Sequence, residues 1–310
     1  MSDSQNQMPT VPRPSAWQQT RRALAHPAAI TYLLLWLLAA ATLALRGFTG
    51  LLLQIAVTVG ALLVITWLLL RWLAPNPPEA EASRHSRWAL SVQVVLILAF
   101  VLLTGLSALS FHNVAPAGWE HIPLWTPLEQ VLELAGGLLF GNDNWVRNPC
   151  LYMIFPGAVL LLCRVRPAEL GLRRGYRSWA VAAPFLLVVG ALAAVKVAMG
   201  DTRVLYVLPF AILDNFLQNG FMEEFLFRGA LQTRLNPLIG EGWSLVISSL
   251  LFGVWHLGAT TAMLGGDYLA GLAMSIASQG AIGLVFGMIA NRTRSLIAPT
   301  VAHITLNLLG

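Results

Sequence analysis

Apolar runs near 28–45, 50–73, 89–109, 149–163, 179–199, 205–228, 243–263 and 268–290 follow one another along the chain, and a last apolar helix is expected over 295–310. Crossing the hydrocarbon core of a bilayer takes about 20 predominantly apolar residues on a helix, and several of these runs reach that length. Backbone polar groups in lipid must be satisfied within the protein, so such runs are expected to be helices packed side by side. The expected fold is all-α: a polytopic transmembrane helix bundle of about eight spans, or nine if the last segment also crosses.

Composition points the same way. Hydrophobic residues make up 57% of the chain and charged residues 11%, with a mean hydropathy of +0.69. A soluble domain carries about 25% charged residues. The formal net charge of +5 is not a nucleic-acid footprint, because the arginines sit at the ends of spans, where a positive-inside bias places them. Cys150 and Cys163 fall near opposite ends of one span, so neither a disulfide nor a cysteine metal site is expected.

Three regions follow. Residues 1–27 form a polar, proline-bearing arm, and the apolar run after it is longer than the 7–15 residues usual in a cleaved signal. Residues 28–163 carry the N-terminal spans and a long connection, 110–148, rich in tryptophan and acids. Within it Leu124, Leu128, Val131, Leu132, Ala135 and Leu138 recur at helical spacing, so part of it is expected to lie flat in the interface. Residues 164–310 carry the remaining spans. Loops 74–87, 164–178, 229–242 and 291–294 hold the basic residues and belong on one side; 110–148, 200–204 and 264–267 belong on the other. This places the N-terminus in the cytoplasm. No internal repeat of the kind that builds many transporters is visible.

Against this apolar background, three polar clusters stand out in the C-terminal region. The first is Glu223-Glu224-x-x-x-Arg228, the second Phe252-x-x-x-His256, the third His303-x-x-x-Asn307 after Ala298-Pro299. An ionisable group at the centre of a span costs roughly 2.5–3.5 kcal/mol, so each asks for a function. Glu224 and Arg228 are i,i+4 and share a helix face, as do His303 and Asn307. Glu223 is rotated about 100° from Glu224 and has no partner in its own segment. Taken singly, the Glu224–Arg228 pair reads as a structural ion pair and each histidine as interhelical glue. Yet His26, His85, His112 and His121 lie in arms or loops, so the only two histidines within spans accompany the only intramembrane glutamate pair.

Glutamate, two histidines and an asparagine suit hydrolysis by an activated water. A carboxylate in a low-dielectric site can act as general base and then acid, and an imidazole can hold the same water. A second imidazole and an amide N–H can donate to the oxyanion of a tetrahedral intermediate. Glu223, His256 and His303 could instead hold zinc with an open water position. There is no His-Glu-x-x-His and no Gly-x-Ser-x-Gly, so neither a common zinc protease nor a serine elbow is present. Asp214, Asn215, Gln218 and Asn219, just upstream, read as a solvated entrance or as helix–helix hydrogen bonds.

Together the three clusters, with Leu170-Gly-Leu-Arg-Arg174 before them, resemble the CPBP family of CAAX proteases and bacteriocin-processing enzymes, also called Abi. The resemblance covers about 165–310. It implies an intramembrane endopeptidase whose chamber opens toward the cytosol, in a prokaryotic plasma (inner) membrane. By the same resemblance Glu223 and His256 activate the water, His303 and Asn307 form the oxyanion hole, and Glu224 and Arg228 brace the motif. The partners implied are membrane lipid and a membrane-associated protein or peptide substrate, with no nucleic acid. No cofactor is expected, zinc being the alternative. The rival reading is a non-catalytic immunity or scaffold protein on the same fold.

Overall fold

The computed structural model describes residues 25–78 and 83–309. Nearly all of the arm expected over 1–27 therefore lies outside the described residues. The first six helices are α1 (Pro27–Leu45), α2 (Thr49–Leu73), α3 (Arg87–Phe111), α4 (Trp125–Phe140), α5 (Asn144–Leu162) and α6 (Ser178–Ala198). A long helical run, α7, occupies 204–239. It is followed by α8 (Glu241–Trp255), α9 (Leu257–Met263), α10 (Tyr268–Thr293) and α11 (Ile297–Leu309).

Local chemistry sets several of the starts. Pro27 opens α1, and the His26 ring nitrogen accepts from the Ala28 N–H. Ser86 caps α3 through the Ala89 N–H, and Asp267 caps α10 through the N–H groups of Leu269 and Ala270.

The chain is an all-α, multi-pass transmembrane bundle. Among the described residues, α1, α2, α3, α5, α6 and α10 are each long and apolar enough to cross a bilayer. Helices α8 and α9, bent by 49° at a break, make a seventh span if taken together. The break falls at His256, so the run expected as one straight span over 243–263 turns a corner at its histidine. The last helix, α11, has 13 residues, too few to cross alone.

The middle of the bundle belongs to α7 and α10. In α10, 61% of the apolar window is buried, against 17% in α2 and in α6, which face outward. Every residue from Met222 to Gln232 in α7 is buried. Gly253 of α8 lets the backbones of α8 and α10 meet: a Cβ there would stand 2.6 Å from the Ser275 carbonyl oxygen. Helix α4 turns its polar edge inward and leaves Leu124, Val131, Leu134 and Leu138 exposed.

Contacts between loops define two ends of the bundle. At one end Arg177 donates to the Leu73 carbonyl, Arg292 to those of Ala74 and Pro75, Arg173 to that of Arg294, and Arg294 pairs with Glu241. At the other, Arg46 pairs with Asp267, and the Tyr268 hydroxyl donates to the Val114 carbonyl. The basic loops thus gather at one end, as their charge predicts.

Candidate active site

Glu223 and Glu224 occupy the short α-helical turn Phe221–Glu224 of α7, between two π-helical stretches, Phe216–Gly220 and Phe225–Gln232. Such widened turns are rare and often mark functional sites, because each shifts the register of the side chains that follow. Two more, Cys150–Ile154 and Ser275–Gly280, lie in α5 and α10 and bring Tyr152 and Gln279 to the same cavity.

Glu224 and Arg228 are fully enclosed. The Arg228 Nε stands 3.4 Å from Glu224 Oε2, and its Nη2 donates to the Gly283 carbonyl of α10 at 2.9 Å. The guanidinium lies 4.4 Å from the centre of the Phe252 ring, a cation–π contact in a dry site. Glu224 also accepts from His303 Nδ1 at 2.9 Å. The pair thus ties α7 to α8, α10 and α11, and it orients the histidine of α11. His303 is further held by stacking on Phe286, centroid to centroid 4.5 Å.

Glu223 points the other way, as the helical period requires. Its Oε2 lies 3.8 Å from His256 Nε2 and 3.8 Å from His303 Nε2, and it is buried with no hydrogen-bond partner of its own. Three chemically competent groups therefore converge on one point from α7, from the α8–α9 corner and from α11.

The other ring nitrogens fix which face each imidazole presents. His256 Nδ1 is 2.8 Å from the Phe252 carbonyl, which can only accept, so Nδ1 carries the proton. His303 Nδ1 faces a carboxylate, with the same result. Each ring then turns its Nε2 toward Glu223, presenting a lone pair where the ring is neutral and an N–H where it is an imidazolium. Two imidazole nitrogens and a carboxylate are a donor set that a divalent cation accepts chemically. Among the described residues no three His, Cys, Asp or Glu side chains gather closely enough to hold one.

These groups open into a cavity of about 750 Å³. Asn307 lines it, one turn beyond His303; its Nδ2 donates to Asn215 at 3.0 Å. Asn215, Gln218 and Asn219 line it too, while Asp214 accepts from Trp145 at 2.7 Å, so the polar patch upstream of the glutamates serves both as cavity wall and as helix–helix contact.

The N-terminal half supplies wall residues that the sequence did not single out. Thr104 of α3 accepts from Trp255 Nε1 at 2.8 Å and fixes the end of α8. Arg147 lines the cavity with its charge matched by Glu129 at 2.7 Å and Glu133 at 3.2 Å. The i,i+4 spacing of the two glutamates, in a stretch otherwise fit for an interface, was the available signal. His112 reaches the cavity from a loop; burial and the neighbouring His256 hold its imidazole below the ordinary histidine range. Phe111, His112 and Asn144 belong to the end of the bundle opposite the basic loops. The resemblance implies a chamber open toward the cytosol; the lining of this cavity includes these residues of the end away from the basic loops.

Residues 205–309 match the family model for type II CAAX prenyl endopeptidases, Rce1-like. This segment is a CAAX-protease (Rce1-like) domain. It contains all three polar clusters, whereas Leu170–Arg174 and the N-terminal helices lie outside it. No curated protein and no solved structure matches the chain. The Rce1-like domain thus supplies the convergent carboxylate and histidines, and the helices before it close the cavity around them.

Proposed function

We propose that the protein is an intramembrane endopeptidase of the CPBP type, hydrolysing a peptide bond in a membrane-associated protein or processed peptide. The observation that carries this reading is Glu223: a buried carboxylate oxygen without a hydrogen bond, 3.8 Å from each of two imidazole nitrogens, at the wall of a 750 Å³ cavity. A water seated among these groups would give one proton to Glu223 while its other O–H, which it keeps, donates a hydrogen bond to His256 Nε2. The oxygen then attacks the scissile carbonyl, and Glu223 returns the proton to the leaving amine.

The developing oxyanion needs donors. His303 can donate from Nε2 only as an imidazolium, and Glu224 at Nδ1 supports that form. Glu223, Glu224, Arg228 and an imidazolium at His303 sum to zero charge, a tolerable state for a buried cluster. The Asn307 amide carries a second N–H beyond the one given to Asn215, and this would be the other donor.

The test is cleavage of a fluorogenic membrane-peptide library by purified protein in detergent. Wild type, Glu223→Gln and His256→Ala are compared, each with and without a strong chelator. The proposal expects cleavage by wild type, a fall of at least two orders of magnitude in both variants, and no effect of chelation. Loss on chelation with recovery on added zinc would move Glu223 and the histidines into a metal shell. A cellular phenotype that survives Glu223→Gln would favour the non-catalytic reading.

A further inference from the structure

A second cavity, about 490 Å³, lies at the basic end of the bundle. Arg228 lines it and does not line the first; for Glu223 the reverse holds. Arg84, Arg166, Arg173, Arg228, Arg234 and Arg294 form its walls, against two carboxylates, Glu169 and Glu241. Both carboxylates are already engaged. Glu241 accepts from Arg294 at 2.5 Å, and Glu169 accepts from the Arg166 backbone N–H at 2.7 Å.

The cavity wall has few free acceptors to set against these guanidinium groups; Gln232 Oε1 is one, buried and unpaired. Arg234 is 4% exposed; it donates from Nη2 to the Glu169 carbonyl and from Nε to Thr233, yet its Nη1 is buried with no partner. Arg228 Nη1 and Arg294 Nε are buried and unpaired as well. A buried donor left without an acceptor loses its hydration and regains nothing, so unpaired guanidinium donors of Arg234 and Arg294 beside one cavity favour a ligand rich in acceptors. A carboxylate offers two oxygens and one charge; a phosphate offers three or four oxygens and up to two charges, in a geometry guanidinium groups match.

We propose that this cavity binds a phosphate group, held by Arg234 from within and by Arg84 and Arg166 at the exposed rim. Two sources share that chemistry: the headgroup of an anionic phospholipid, which a basic membrane-surface pocket attracts, and a soluble phosphate. The volume suits a headgroup or a small phosphate ester.

The test reads stability, so its result stands apart from whether the chain cleaves peptides. Delipidated full-length protein in neutral detergent is melted with increasing short-chain phosphatidylglycerol or inorganic phosphate. Phosphatidylcholine and chloride at matched ionic strength set the baselines. A saturating rise of several degrees above baseline is expected in wild type and lost in the rim double variant Arg84→Gln/Arg166→Gln, whose exposed side chains can change without disturbing the core. A rise with phosphatidylglycerol alone assigns the site to lipid; a rise with inorganic phosphate assigns it to a soluble ligand. No saturable rise with either, or an equal rise in the double variant, overturns the proposal. Arg234→Gln, tested for the same loss, places the ligand inside the cavity and not on the rim.

Discussion

At the scale of single residues, the two adjacent glutamates do different work because one helical step separates their directions. Glu224 is ion-paired with Arg228 and hydrogen-bonded to His303, and removing Arg228 takes away the permanent positive charge that faces it in a dry site. Breaking a buried pair from one side costs about 3–5 kcal/mol. Arg228→Met is therefore expected to lower the melting temperature sharply or to prevent recovery of folded protein, as thermal unfolding in detergent would register. Glu223→Gln removes no existing hydrogen bond of its Oε2, so its melting temperature should stay near that of wild type while hydrolysis is lost. Similar destabilisation by the two substitutions would mean that Glu223 is structural. Glu224–Arg228 was legible from i,i+4 spacing alone. The link from Glu224 to His303 joins residues 79 apart in sequence, and no local pattern announces it.

At the scale of elements, the site depends on helices that depart from regularity. Helix α7 widens on both sides of the glutamate turn, and the α8–α9 span breaks at His256. Close backbone contact holds these irregular pieces in register. A Cβ on Gly253 would stand 2.6 Å from the Ser275 oxygen and 2.8 Å from the Gly280 nitrogen, so α8 and α10 must part to admit it. Overpacking of this kind costs roughly 1–3 kcal/mol. Gly253→Ala should thus lower the melting temperature and, because His256 rides on the end of α8, reduce cleavage more than a loss of stability alone explains. The check is cleavage rate at a temperature where both proteins are folded; equal rates would count against it. The spans were readable from hydropathy, but their breaks were not, because apolar composition is blind to a widened turn.

At the scale of the whole molecule, the bundle has two unlike ends. One gathers the basic loops and the arginine-lined cavity; the other carries the wall residues His112 and Asn144 of the glutamate cavity. If the positive-inside rule sets the orientation, the glutamate cavity is reached from the side facing away from the cytoplasm. Cys150 and Cys163 are free thiols and would be replaced by alanine first. On that background, Asn144→Cys should react with a membrane-impermeant maleimide from outside intact cells, and Arg84→Cys only after the membrane is opened. Labelling of both from the same side would refute the two-ended arrangement, and the opposite pattern would reverse the orientation.

The sequence by itself determined that this chain is a membrane-embedded helical bundle, which loops share an end, and which few polar residues are too costly in lipid to be incidental. These are consequences of composition, period and charge, and each can be read in a window of about twenty residues. Only the tertiary structure decided that Glu223 faces both histidines, that Arg147 and Thr104 of the N-terminal half wall the site, and that the cavity reaches the end opposite the arginines. Those outcomes depend on which helices touch and where their backbones bend. In lipid that choice rests on close packing and a few buried hydrogen bonds, and not on hydropathy, which is nearly the same for every span.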